Sequence, residues 1–219
     1  MIIESEPEPA LSQDRELCEA ARSGDQDALE KLLLAHYDRV HALCRRMLGD
    51  DDDAEDATQE TLLLAVRSLS RFDGRSSFGT WIYRIATNAC IDELRRRRRR
   101  PLAGLDHDVS GGTERAARDG ALGPRPGEDP AESAARRMDV DSALSSLPVE
   151  FRAAVVLRDL CDLTYEEIAR VVGVPVGTVR SRIARGRAAL ADLLGDRRNP
   201  REPLNVESGQ RRGEITNDR

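Results

Sequence analysis

A chain of 219 residues with 3% aromatic and 34% charged side chains must build its core mainly from Leu, Val, Ala and Ile, which favours packed helices over a β-sandwich. No apolar run reaches membrane-spanning length, no signal peptide is recognisable, and Cys18, Cys44, Cys90 and Cys161 form no CxxC pair; the expectation is a cytoplasmic protein with reduced thiols and no membrane insertion. The formal net charge of −6 argues against nucleic acid only until its distribution is read: residues 84–100 carry seven arginines against two acids, and residues 179–198 carry six against two.

Residues 1–13 are acidic and hold prolines, and they are expected to form a disordered tail. Residues 14–100 read as one helical domain. Within 29–48, Leu29, Leu32, Leu33, Tyr37, Val40, Leu43, Cys44 and Leu48 recur at three- and four-residue steps and should share a face. His41 and Cys44 lie one turn apart and could be joined by His36 or Cys18 around a metal. Packing on or beside a helix face is the better reading of both, so no metal or cofactor is expected.

GDDDD at 49–53 breaks the pattern and places acids at the start of the next helix, where they suit its dipole. That helix runs to about Leu69. A loop follows at 70–77, and periodicity resumes through Phe78, Trp81, Ile82, Ile85, Ala86, Cys90 and Leu94. Trp81 reads as a core residue, whereas Tyr83 is the better-placed aromatic for nucleic acid. Residues 101–130 are rich in Gly, Pro, Asp and Ser and should form a flexible linker.

Residues 131–195 read as a second helical domain. Pro148 suits the start of a helix, Thr164 and Glu167 make a T-x-x-E capping box, Gly173 suits a left-handed helix end, and Pro175 restarts a helix. Val179 and Ile183 then point inward, and Thr178, Arg180, Ser181, Arg182, Ala184 and Arg185 lie on or beside the outer face. That is the pattern of a helix-turn-helix whose second helix enters the major groove. Arginine can pair with guanine or grip phosphate, and Thr and Ser are short donors for either. A polar tail is expected at 196–219. The expected fold is therefore all-α, with two small helical domains joined by a flexible linker.

The ordered combination of DAEDATQETLLLAV (53–66), FGTWIYRIATNACIDELRR (78–96) and this helix-turn-helix resembles the extracytoplasmic-function (ECF) subgroup of bacterial RNA polymerase sigma factors. The resemblance covers about 28–100 and 140–194. It implies binding of core RNA polymerase through Asp53, Glu55, Asp56, Gln59 and Glu60. It implies recognition and melting of a −10 promoter element by Arg71, Phe72, Asp73, Tyr83, Arg84, Asn88, Arg95 and Arg96. It implies contacts to a −35 element by Thr178, Arg180, Ser181, Arg182, Ala184 and Arg185, Ala184 offering at most an apolar edge. Control by an anti-sigma protein is implied too, though no residue identifies one.

The linker fits this division. About 30 extended residues reach roughly 100 Å at ~3.3 Å each, and DNA elements about 25 base pairs apart span roughly 85 Å at ~3.4 Å per pair. No catalytic motif is present, so no enzymatic activity is expected. The alternative is a stand-alone helix-turn-helix regulator that binds duplex DNA without polymerase; the acidic 53–66 face and the Trp81-Tyr83-Arg84 stretch count against it.

Overall fold

The computed structural model describes residues 9–99 and 130–198, and among these every regular element is a helix. The helices are α1 (Pro9–Arg22), α2 (Gln26–Leu48), α3 (Asp51–Ser68), α4 (Phe78–Arg99), α5 (Pro130–Ser145), α6 (Val149–Asp159), α7 (Tyr165–Val172) and α8 (Val176–Arg198), with a short 3-10 turn at Leu69–Arg71. The first helix begins inside the stretch expected to be a tail. The expected linker up to residue 129 and the tail beyond residue 198 lie outside the described residues.

Local chemistry sets the boundaries. Asp25 accepts from the Ala28 amide to cap α2, which ends where Gly49 adopts φ 76°. Asp50 accepts from the Asp53 amide at 2.9 Å and opens α3, whose first turn holds Asp51, Asp52 and Asp53. Ser77 caps α4 by accepting from the Thr80 amide at 3.1 Å.

The buried face of α2 includes Leu32, Val40, Leu43, Cys44 and Leu48, as the periodicity predicts. It is turned so that His36 is buried while Tyr37 is half-buried. His36 Nε2 lies 2.8 Å from Asp14 of α1, so a polar partner accompanies the buried ring. All four cysteines are unpaired thiols in the core; burial pushes the Cys18 thiol up to about 11 and the Cys161 thiol up to about 12. Among the described residues no group of three or more His, Cys, Asp or Glu side chains could hold a metal, and no helix is long and apolar enough to cross a membrane.

The two helical units, joined by residues outside the described ones, pack against each other. A single run of buried residues continues from Leu32, Phe78, Trp81 and Ile82 in the first unit to Leu157, Ile168 and Val171 in the second. Polar contacts lock the seam. The buried Arg152 of α6 donates to the carbonyls of Met47, Ser145 and Leu147, the first of them at the end of α2. Arg45 and Arg46 of α2 pair with Asp141 of α5. Thr80 Oγ1 of α4 donates to Glu167 Oε1 of α7 at 2.9 Å. The sequence pattern says which faces are apolar but not that the two units use them on each other.

Candidate nucleic-acid interface

The second unit supplies a helix-turn-helix from α7 and α8. Thr164 and Glu167 form the reciprocal capping box, and Gly173 ends α7 at φ 67°, a backbone region where a Cβ is costly. Val179 and Ile183 are fully or almost fully buried and orient α8. Arg180, Ser181, Ala184 and Arg185 are exposed, while Thr178 and Arg182 are half-buried beside them. Among the described residues Arg180, Arg182 and Arg185 have no ion-pair partner, whereas Arg187 is paired with Asp159. The face left open is therefore short, cationic and carried on one helix, a shape suited to a DNA groove.

In the first unit α3 presents Asp56, Gln59 and Glu60 to solvent with Leu63, Leu64 and Val66 also exposed, an acidic edge beside an apolar one. Asp53 and Glu55 are half-buried. Burial raises the Asp53 carboxyl above its ordinary range, opposed by Arg97, which pairs with it from α4. Asp56 and Glu60 line a groove of about 540 Å³ between α3 and α4, whose other wall holds Asn88, Asp92 and Arg96. Residues that the sequence assigns to two different partners thus share one groove.

The arginine run of α4 stays helical through Arg99. Arg95 pairs with Asp92 at 3.3 Å, Arg96 with Glu93, and Arg97 with Glu93 and Asp53, so acids on α3 and α4 set the directions of these cations.

The loop before α4 holds Arg71 and Asp73 exposed, and both line a second cavity of about 330 Å³ with Thr80, Trp81, Arg84 and Arg170. Arg170 comes from α7, and only the packing of the two units brings it there. Two residues assigned from sequence to the −10 element are buried in this arrangement. Phe72 is 7% exposed because its ring packs edge-on against Phe78 at 5.9 Å and tilted against Trp81 at 5.3 Å. Tyr83 is 3% exposed, less than Trp81 at 8%, so neither presents a free face to a base. Burial, with Cys161 adding to it, pushes the Tyr83 phenol up to about 12, although Arg39 hydrogen-bonds to it and opposes the rise.

Comparison with known proteins gives matches in both units. The Sigma-70 region 2 family matches residues 32–100, and the Sigma-70, region 4 family matches residues 137–190. The chain is 37% identical over 177 residues to the ECF RNA polymerase sigma factor SigW of Bacillus subtilis, covering 80% of this chain and 93% of the relative. It is 43% identical over 175 residues to the ECF RNA polymerase sigma factor SigE of Mycolicibacterium smegmatis, covering 78% of this chain but 65% of that protein, under two thirds of its length. Among solved structures, CnrH in complex with the cytosolic domain of CnrY superposes with a TM-score of 0.61 at 29% identity, covering 84% of this chain and 97% of that one. The sigma factor RpoE of Bartonella quintana, in complex with the anti-sigma factor NepR, shares the fold with a TM-score of 0.59 at 23% identity, covering 76% of this chain and 96% of that one.

Proposed function

The chain belongs to the ECF sigma factors of RNA polymerase, and from that membership we propose that it carries core polymerase to a bipartite promoter and helps to open the DNA there. The observation that carries the proposal is the pairing of two unlike surfaces on one chain: the acidic and apolar edge of α3, and the cationic outer face of α8. Asp56, Glu60 and the exposed Leu63 offer a basic helical partner both charge complementarity and apolar area, a role assigned here to core polymerase. Asp53, Glu55 and Gln59, on the same helix, complete the set assigned to that partner.

Arg180, Ser181, Ala184 and Arg185, with Thr178 and Arg182 beside them, are assigned to the −35 element. Arg71, Asp73, Arg84, Asn88, Arg95 and Arg96 are assigned to the melted −10 strand, their arginines forming a cationic track for a single strand. Phe72 and Tyr83 support that surface from beneath it. RNA synthesis itself belongs to the polymerase in this reading, and the chain works in the cytoplasm as an initiation factor without catalytic residues or a cofactor.

Engaging two elements about 85 Å apart, at ~3.4 Å per base pair, requires the units to part at Arg152, Asp141 and Glu167. The seam is largely polar at these points, which lets it exchange for contacts on polymerase. An anti-sigma protein that holds the units together is a further part of the reading; the solved relative CnrH was captured with the cytosolic domain of CnrY.

The test is transcription from genomic fragments by core polymerase with and without the purified chain. Promoter-dependent transcripts that require the chain are expected. Tight binding to duplex DNA by a chain that never joins core polymerase would instead identify a stand-alone regulator. Charge reversal at Asp56 and Glu60 should weaken the polymerase complex while leaving duplex binding unchanged.

A further inference from the structure

Tyr165 opens α7, and two guanidinium groups lie over its ring: Arg158 of α6 at 5.5 Å and Arg180 of α8 at 5.6 Å from the centroid. Both distances are within the range at which a cation is attracted to the face of an aromatic ring. The two arginines differ in what else holds them. Arg158 Nη1 donates to the Leu163 carbonyl at 2.8 Å, which ties it to the loop before α7. Arg180 is exposed and, among the described residues, has no ion-pair partner; its guanidinium rests on the ring of Tyr165. A free arginine on a helix surface samples many rotamers and must lose that freedom on binding. A guanidinium resting on a ring has already lost part of it, and its planar donor edge remains available for a base or phosphate.

We propose that Tyr165 is a positioning residue for DNA recognition, holding Arg180 over its ring so that the guanidinium meets the upstream promoter element with its orientation already set. The inference rests on the assignment of Arg180 to that element. It adds a determinant that contacts no base itself and lies outside the recognition helix.

The test uses holoenzyme assembled from the full chain and core polymerase, selecting bound duplexes from a DNA library of randomised sequence. Arg180→Ala should relax preference at one base pair. Tyr165→Leu should relax the same base pair and weaken binding about two- to fivefold, the scale of an exposed cation–ring contact. Tyr165→Phe should retain wild-type preference, because the ring face survives without the hydroxyl. Tyr165→Leu added to Arg180→Ala should have no further effect on preference. Relaxation by Arg180→Ala but not by Tyr165→Leu overturns the positioning role and leaves the DNA contact standing. Equal loss in Tyr165→Phe and Tyr165→Leu overturns it in favour of a hydroxyl contact. No change in Arg180→Ala removes the contact and the positioning role together.

Discussion

Glu167 of α7 is bonded to Thr80 of α4 through one carboxylate oxygen, while its other oxygen accepts from the backbone and hydroxyl of Thr164, each bond 2.9 Å long. One side chain thus closes the first turn of the helix-turn-helix and joins that motif to the first unit. Burial alone would raise its carboxyl, but the bonds from Thr164 and Thr80 and the charge of Arg170 outweigh it and hold Glu167 below the ordinary glutamate value. The charged form is therefore the one that both helix and seam require.

Removing that carboxylate should cost stability and loosen the seam together. Glu167→Ala is expected to lower unfolding free energy by about 1 kcal/mol, the scale of a lost helix cap. Thr80→Ala leaves the capping box intact and should widen the particle in small-angle scattering with a smaller loss in melting temperature. The pH dependence follows from the direction of the shift. A carboxyl lowered by folding contributes stability that is fully present above its ordinary value of 4.5 and is lost as pH falls through the folded value. Acid melting of Glu167→Gln should accordingly show a shallower pH slope below about pH 4.5 than wild type.

Arg152 makes the corresponding case for the other side of the seam. The residue is 6% exposed, and its guanidinium is shared among three backbone carbonyls rather than a carboxylate. Arg152→Ala strips partners from buried acceptors and should destabilise the chain by about 2–4 kcal/mol, with a larger radius of gyration before unfolding. Arg152→Lys keeps the charge but lacks the fork that reaches several acceptors, and it should fall between the two. Equal scattering profiles for all three proteins would show that Arg152 serves the second unit alone.

Much of this was legible residue by residue. The acids of 50–53, the T-x-x-E box at Thr164 and Gly173 announce helix ends because capping depends on neighbours in sequence, and each appears where its chemistry requires. What was not legible depends on partners distant along the chain. Nothing near Tyr83 signals that Cys161 will lie beside it, and nothing near Arg170 signals that it will join Arg71 and Arg84 around one cavity. Phe72 was named through the family resemblance alone; its burial depends on Phe78 and Trp81 turning toward it from the next helix. The shift from Tyr37 to His36 on α2 has the same origin, since Asp14 of α1 supplies the partner that makes a buried imidazole affordable.

Gly186 tests the close approach of α8 to α6. A Cβ there would lie 2.6 Å from Val155 Cγ2 and 3.3 Å from the Phe151 carbonyl oxygen, inside contact distance for both. Gly186→Ala should force the helices apart and destabilise the fold by about 1–3 kcal/mol despite alanine's better helix propensity. Trimming the opposing side chain should relieve part of the clash: Gly186→Ala/Val155→Ala should be less destabilised than the sum of the two single variants, yet less stable than Val155→Ala alone, because the Phe151 backbone cannot be trimmed. Thermal melts of the single and double variants measure the coupling directly.

Arg84 and Phe72 lie close to the same cavity but should fail in different ways. Phe72 is a core ring, so Phe72→Ala is expected to cost about 3–5 kcal/mol, and any loss of promoter opening should follow the unfolded fraction as temperature is varied. Arg84 is exposed and lines the cavity without belonging to the aromatic cluster. Arg84→Ala should change stability by less than about 0.5 kcal/mol while slowing formation of the open complex at every temperature, with a shallower dependence on salt because one cation fewer meets the strand. Permanganate reactivity of unpaired thymines, followed over time beside a thermal melt of each variant, separates the two. Parallel losses in melting temperature and opening for Arg84→Ala would return Arg84 to a structural role.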